Sequence, residues 1–205
     1  ITPTAASVGT KQGFSIIKFA SGSSGVKTLS HGLLETPTFA LVKTTGSTSD
    51  WSVYHKDIGG VNNYLVLNEN HANATATEIW GSSLWTSSVF GIKSGTTTAT
   101  NQDCIAYLWH DVPGLQKFGS FTGNNATDGA FIELGFRPSL VWIKRTGATG
   151  HWFIIDNKRT KTFNPVDEYA FADIVNVYDP SNGGPSGGIA DFLSNGIKLR
   201  ENNAG

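Results

Sequence analysis

Apolar residues come in short bursts separated by polar punctuation. The bursts cover 15–19, 38–43, 51–55, 64–68, 88–92 and 103–110 in the first half of the chain, and 130–134, 140–144 and 152–156 in the second. Each is roughly five to eight residues long, rich in β-branched or aromatic side chains, and bounded by Gly, Asn, Ser or Pro, which is the pattern of β-strands. Only one stretch carries helix-start signals. Asn164 is a capping type, Pro165 fits a first helical position, and Asp167 and Glu168 suit a positive helix end, so the pattern predicts at most one short helix near 165–172. The Asp/Pro/Ser/Asn/Gly run over 179–188 predicts a surface loop.

The pattern occurs twice. Residues 37–51 read PTFALVKTTGSTSDW and residues 138–152 read PSLVWIKRTGATGHW. Pro37 and Pro138, Lys43 and Lys144, and Trp51 and Trp152 each lie 101 residues apart. Further on the spacing widens. Tyr64 and Tyr169, and Gly91-Ile92-Lys93 and Gly196-Ile197-Lys198, lie 105 apart, so the second copy carries about four extra residues between Trp152 and Tyr169. A period near 100 exceeds any solenoid repeat or propeller blade and fits two copies of a half-sandwich or of a small sandwich. Residues 112–118 run into the next strand without a polar linker. The expectation is one compact body over 1–205 with copies 14–113 and 114–205. The second copy lacks a counterpart of the strand at 104–110. The vacant place beside its neighbour is expected to be filled by the N-terminal residues 1–13, by another chain, or by residues beyond Gly205.

Composition narrows the class. The 205 residues are 39% hydrophobic and only 15% charged, with a formal net charge of −1. A chain that neutralises a polyanion carries a basic excess, so nucleic acid is not an expected partner. No apolar run approaches the roughly 18 residues of a membrane-spanning helix, and no membrane insertion is expected. The single cysteine, Cys104, excludes an intramolecular disulfide and a multi-thiolate zinc site. Alternation with Ala106 and Leu108 predicts Cys104 to be a small core residue.

Taken together, His31-Gly32-Leu33, the 37–43 strand, Trp51-x-Val53-Tyr54-His55, residues 117–124, Gly135-Phe136-Arg137-Pro138, Asp156-Asn157-Lys158-Arg159 and residues 192–199 resemble an uncharacterised β-sandwich domain. That domain recurs in structural and tail-fibre proteins of marine bacteriophages, cyanophages included. The resemblance spans roughly 14–200. It implies a virion location, other virion proteins as partners and a β-sandwich fold, and it carries no catalytic residues. By analogy with fibre proteins it suggests a homotrimer.

Candidate chemistry is sparse. No pair of histidines has the helical spacing of a metal motif, and His110-Asp111 at a strand end reads as hairpin surface, so no metal is expected. Asp128 with Glu133, or Asp167 with Glu168, could form a glycosidase pair. The second pair is better explained by a helix start and the first is isolated, so no catalytic residues and no cofactor are assigned. Trp51 and Trp152 are expected to fill equivalent core sites, and Trp109 and Trp142 are expected in strands with buried rings. Trp80 and Trp85 lie in a Gly/Ser-rich turn and are candidates for a sugar-stacking platform, since aromatic faces offer apolar area at low entropy cost. Lys158, Arg159 and Lys161 form the one dense positive cluster and are candidates for an acidic glycan. The chain therefore reads as an all-β sandwich, jelly-roll or concanavalin-like, built from two similar halves. Its expected role is that of a non-enzymatic virion module contacting host surface glycans, with a decoration domain or a glycan-degrading sandwich enzyme as alternatives.

Overall fold

The computed structural model describes residues 1–159, 164–174, 177–178 and 188–200. The fold is all-β, a sandwich of antiparallel sheets. Lys161, part of the candidate cationic cluster, and most of the 179–188 loop lie outside the described residues.

The chain divides into two compact units: Ile1–Leu67 with Asn73–Gly119, and Asn68–Ala72 with Ser120–Gly205. The single body expected over 1–205 is thus resolved into two clusters of buried residues, one per unit. The sequence-based copy boundary at 113/114 falls just short of Gly119.

Unit 1 contains β1 (Pro3–Gly9), β2 (Phe14–Ala20), β3 (Gly25–Ser30), β4 (Phe39–Thr44), β5 (Ser52–His55), β6 (Asn63–Val66), β7 (Ala74–Thr75), β8 (Val89–Ser94) and β9 (Asp103–Trp109). Seven of them form a sheet in the order β1-β2-β9-β4-β5-β6-β7, and β3 and β8 form a separate ribbon. Strand alternation sorts the side chains. Ile17 and Phe19, Ala40 and Val42, and Cys104, Ala106 and Leu108 point inward from the sheet, and they pack with Leu29, Phe90 and Ile92 of the ribbon. Cys104 is buried in this core, as its alternation predicts.

Unit 2 contains β10 (Phe131–Glu133), β11 (Leu140–Lys144), β12 (Trp152–Asp156), β13 (Tyr169–Phe171), β14 (Val177–Tyr178), β15 (Ala190–Leu193) and β16 (Gly196–Leu199). The sheet β11-β12-β13-β14 and the sheet β10-β16-β15 enclose Ile143, Ile155, Val166, Phe192, Ile197 and Leu199.

The pairing registers repeat the sequence offsets. Phe39↔His55 in unit 1 corresponds to Leu140↔Asp156 in unit 2, both partners displaced by 101. Ser52↔Val66 corresponds to Phe153↔Phe171, displaced by 101 and 105. The extra residues therefore sit in the β12–β13 connection and leave the ladder intact. The repeated lysine has one job in both units. Lys43 Nζ donates to the Ser49 carbonyl across its hairpin loop, and Lys144 Nζ donates to the Gly150 carbonyl at 2.7 Å. Burial pulls the Lys144 ammonium below its ordinary pKa, while Asp173 opposes the shift.

Four expectations need correction. The N-terminal segment does not fill the gap expected in the second copy, because Pro3–Gly9 pairs with β2 in the unit 1 sheet. Trp142, expected to be buried, is 41% exposed on β11. No helix forms near 165–172. The Asn164 side chain accepts from the Phe192 N–H at 3.0 Å and donates to the Phe192 carbonyl at 3.2 Å, so its capping group is committed to β15. Val166 then bridges to Ala190, which holds the segment extended. The paired tryptophans also diverge. Trp152 is 4% exposed, whereas Trp51 is half-buried, its ring centroid 6.2 Å from that of Tyr107 on β9.

A buried histidine in unit 1 is placed to resist protonation. His31 is 1% exposed; its Nδ1 accepts the Leu33 N–H and its Nε2 faces the Thr86 carbonyl, each at 3.1 Å. Those partners fit the neutral Nε2–H tautomer, and a proton on Nδ1 would face a donor. Burial pushes the His31 pKa down, the Thr86 carbonyl opposes this, and nearby His110 adds to the lowering. Burial also lowers His55, against an opposing pull from Asp57. The unfolded chain takes up these protons below its ordinary value of 6.5 while the fold resists them, so stability present above that pH is lost as pH falls. Urea unfolding midpoints should decline between about pH 7.5 and 5.5, and less steeply in His31→Gln. A wild-type midpoint flat across that window would contradict the assignment.

Candidate functional site

Trp80 and Trp85 do not form a surface platform. They are 0% and 6% exposed. Trp85 stacks on Tyr54 with centroids 3.9 Å apart, and Trp80 meets both rings edge-on. Each indole N–H is satisfied inside: Trp80 donates to the Asn63 carbonyl at 2.7 Å and Trp85 to the Trp80 carbonyl at 3.0 Å. The turn folds inward because two large apolar rings with internal acceptors gain more from burial than from solvent.

The described part of the cationic cluster, Lys158 and Arg159, lies in a turn. Asp156 Oδ1 accepts the N–H groups of Lys158 and Arg159 at 2.9 and 2.8 Å, and the Arg159 guanidinium pairs with the same carboxylate at 3.2 Å. Burial tends to raise the Asp156 pKa, but these donors outweigh it and hold the carboxyl below its ordinary value. One cation is thus already paired. Of the carboxylates considered for catalysis, Asp128 is exposed and pairs with Lys198 at 2.7 Å, and Glu133 is exposed on β10. Among the described residues no group of three or more His, Cys, Asp or Glu is placed to hold a metal.

The structure assembles a different surface. The outer face of the unit 1 sheet carries Phe14 on β2, Tyr107 and Trp109 on β9, Phe39 on β4, and Trp51 and Phe118 from adjoining loops. Phe14 stacks on Trp109 at 4.7 Å, Trp109 meets Phe39 at 5.5 Å, and Phe39 stacks on Phe118 at 5.1 Å. Tyr107 extends the row toward Trp51. All but Phe39 are half-buried. Trp109, expected to be buried, thus belongs to a surface row. Period-two alternation places it there: Cys104, Ala106 and Leu108 take the core side of β9, leaving Ile105, Tyr107 and Trp109 outside.

At one end of this row the chain opens into a shallow cleft of about 350 Å³ whose lining combines polar side chains with Val112 and Pro113. Thr10 and Lys11 enter from the β1–β2 turn, Glu35, Thr36 and Thr38 from the loop before β4, and His110 and Asp111 from the end of β9. The backbone joins row and cleft, since the Thr38 N–H donates to the Trp109 carbonyl at 2.7 Å. Asp111 Oδ1 accepts the Phe118 N–H at 2.9 Å, tying Phe118 to the rim. The His110 Nδ1 faces the Asp111 carbonyl at 2.8 Å, and its buried Nε2 has no hydrogen-bond partner within the protein. Apolar ring faces beside hydroxyl, carboxylate and ammonium groups can stack one side of a ligand and hydrogen-bond its edge.

The fold and this surface define an all-β chain with a stacking row and an open cleft of mixed lining in its first unit. Over residues 1–205 the chain belongs to a family described as a domain of unknown function, DUF7483. No curated protein matches it. No solved structure matches it.

Proposed function

We propose that the chain is a non-enzymatic recognition module of a virion surface or tail fibre that contacts host glycans through unit 1. The observation that carries this reading is the half-exposed row Phe14–Trp109–Tyr107–Trp51 running into the cleft of Lys11, Glu35, Thr38 and Asp111. A sugar ring has an apolar face that stacks on an aromatic ring and a rim of hydroxyls that needs donors and acceptors, and this surface offers both. The likeness to phage fibre domains in residues 14–200 supports the virion setting. A ligand-contacting face also accounts for aromatic residues left partly in water, where burial alone would have drawn them in.

The test is binding of the purified chain to an array of bacterial surface glycans, followed by Trp109→Ala. Retention should fall at least about tenfold, equivalent to ~1.4 kcal/mol of binding energy, with the Trp142→Ala variant of unit 2 unaffected. Equal retention by Trp109→Ala, or no glycan retained at all, would overturn the reading and leave contact with virion neighbours as the role of the module.

A further inference from the structure

We propose that the edge of β11 away from β12, which no described strand occupies, accepts one additional antiparallel strand with the chemistry of β9. The argument starts from the registers. Strands β4-β5-β6-β7 of unit 1 and β11-β12-β13-β14 of unit 2 occupy the same positions in their sheets, with the first two pairings matched residue for residue. In unit 1 the other edge of β4 is taken by β9, through six residue pairs from Phe39↔Trp109 to Thr44↔Cys104. In unit 2 no described strand pairs with the corresponding edge of β11.

The side chains record the difference. Phe39 and Leu41, opposite Trp109 and Tyr107, are each 7% exposed. Leu140 and Trp142, at the matching positions of β11, are 55% and 41% exposed. The inward side is already built, since Ile143 at the Val42 position is 5% exposed. A second gap agrees. In unit 1, β2 flanks the far side of β9 and precedes β3; in unit 2 the residues preceding β10, 120–124, are exposed and belong to no strand. Both places that depend on a β9-like strand are thus unfilled among the described residues.

The edge itself is unguarded. Natural edges are blunted by charge, proline or a bulge. Residues 140–144 contain no proline, and their one charge, Lys144, is turned onto the carbonyls of Asn70, His71 and Gly150. The β4–β9 interface specifies the occupant: an extended segment with small or apolar side chains toward the core, as Cys104, Ala106 and Leu108 in β9, and aromatic or β-branched ones on the alternate positions, covering Leu140 and Trp142.

The probe is a synthetic peptide with the sequence of residues 102–110, flanked by lysines for solubility and added to the intact 205-residue chain. Hydrogen exchange should slow at least about tenfold in the amides of 140–144. A peptide of the same composition with the alternation scrambled should give no protection. Trp142→Lys should abolish the effect of the matched peptide while exchange in β15 and β16 stays as in wild type, showing that unit 2 is folded. Unchanged exchange over 140–144 at saturating peptide, or equal protection by the scrambled peptide, would overturn the proposal.

Discussion

Replacing Trp80 with alanine is expected to destabilise unit 1 by about 3–5 kcal/mol, as for other large aromatic truncations in closed cores. Three effects act together. The ring is fully buried, so its apolar area returns to a cavity that the surrounding strands cannot close. Its edge-on contacts with Tyr54 and Trp85, centroids 5.6 and 5.7 Å away, disappear. The Asn63 carbonyl loses the indole N–H at 2.7 Å. Urea unfolding followed by near-ultraviolet circular dichroism measures the loss, because this aromatic cluster dominates an asymmetric environment. A cost below about 1 kcal/mol would show that the ring is a surface group after all and would restore the platform reading of Trp80 and Trp85.

Much of the architecture was legible in the chain. Strand positions followed from short apolar bursts, and the offsets of 101 and 105 returned as pairing registers. What the sequence hid has a physical reason in each case. Strand β1 has no apolar periodicity, since five of its seven side chains are exposed and it is held by backbone pairing to β2. Trp80 and Trp85 sit among Gly and Ser, a local context that signals a surface turn. Their burial depends on Tyr54 and Asn63, which are distant in sequence, as well as on the nearer Phe90. The cap residues at 164–168 were spent on tertiary contacts with Phe192 and Ala190. The aromatic row escaped notice because both faces of β9 are apolar. Alternation splits the strand into two sides, and once Cys104, Ala106 and Leu108 take the core side, Ile105, Tyr107 and Trp109 are left on the outer one. The cleft is built from three segments, around residues 10, 36 and 111, that only the sheet order brings together.

The repeated glycines supply the second large effect. Gly91 and Gly196 are counterparts in the Gly-Ile-Lys repeat, and neither has room for a methyl group. A Cβ at Gly91 would lie 2.5 Å from the Trp80 carbonyl oxygen and 3.0 Å from the Gly81 Cα. At Gly196 it would lie 2.2 Å from the Ile132 carbonyl oxygen. In both places the obstacle is backbone, which cannot rotate aside as a side-chain tip can. Gly91 has a further consequence in unit 1, because the same Trp80 carbonyl receives the Trp85 indole at 3.0 Å; pushing it away disturbs the aromatic cluster as well. Alanine at either position should therefore cost about 1–3 kcal/mol or more through forced backbone displacement. The losses should be local to each core. Gly91→Ala should speed hydrogen exchange in β3 and β8, which pair through Thr28↔Gly91, and Gly196→Ala should do so in β10 and β16, which pair through Glu133↔Gly196. A loss below about 0.5 kcal/mol in both variants would mean that these strands can separate to admit a methyl group, and the repeated glycines would then need a reason other than close approach.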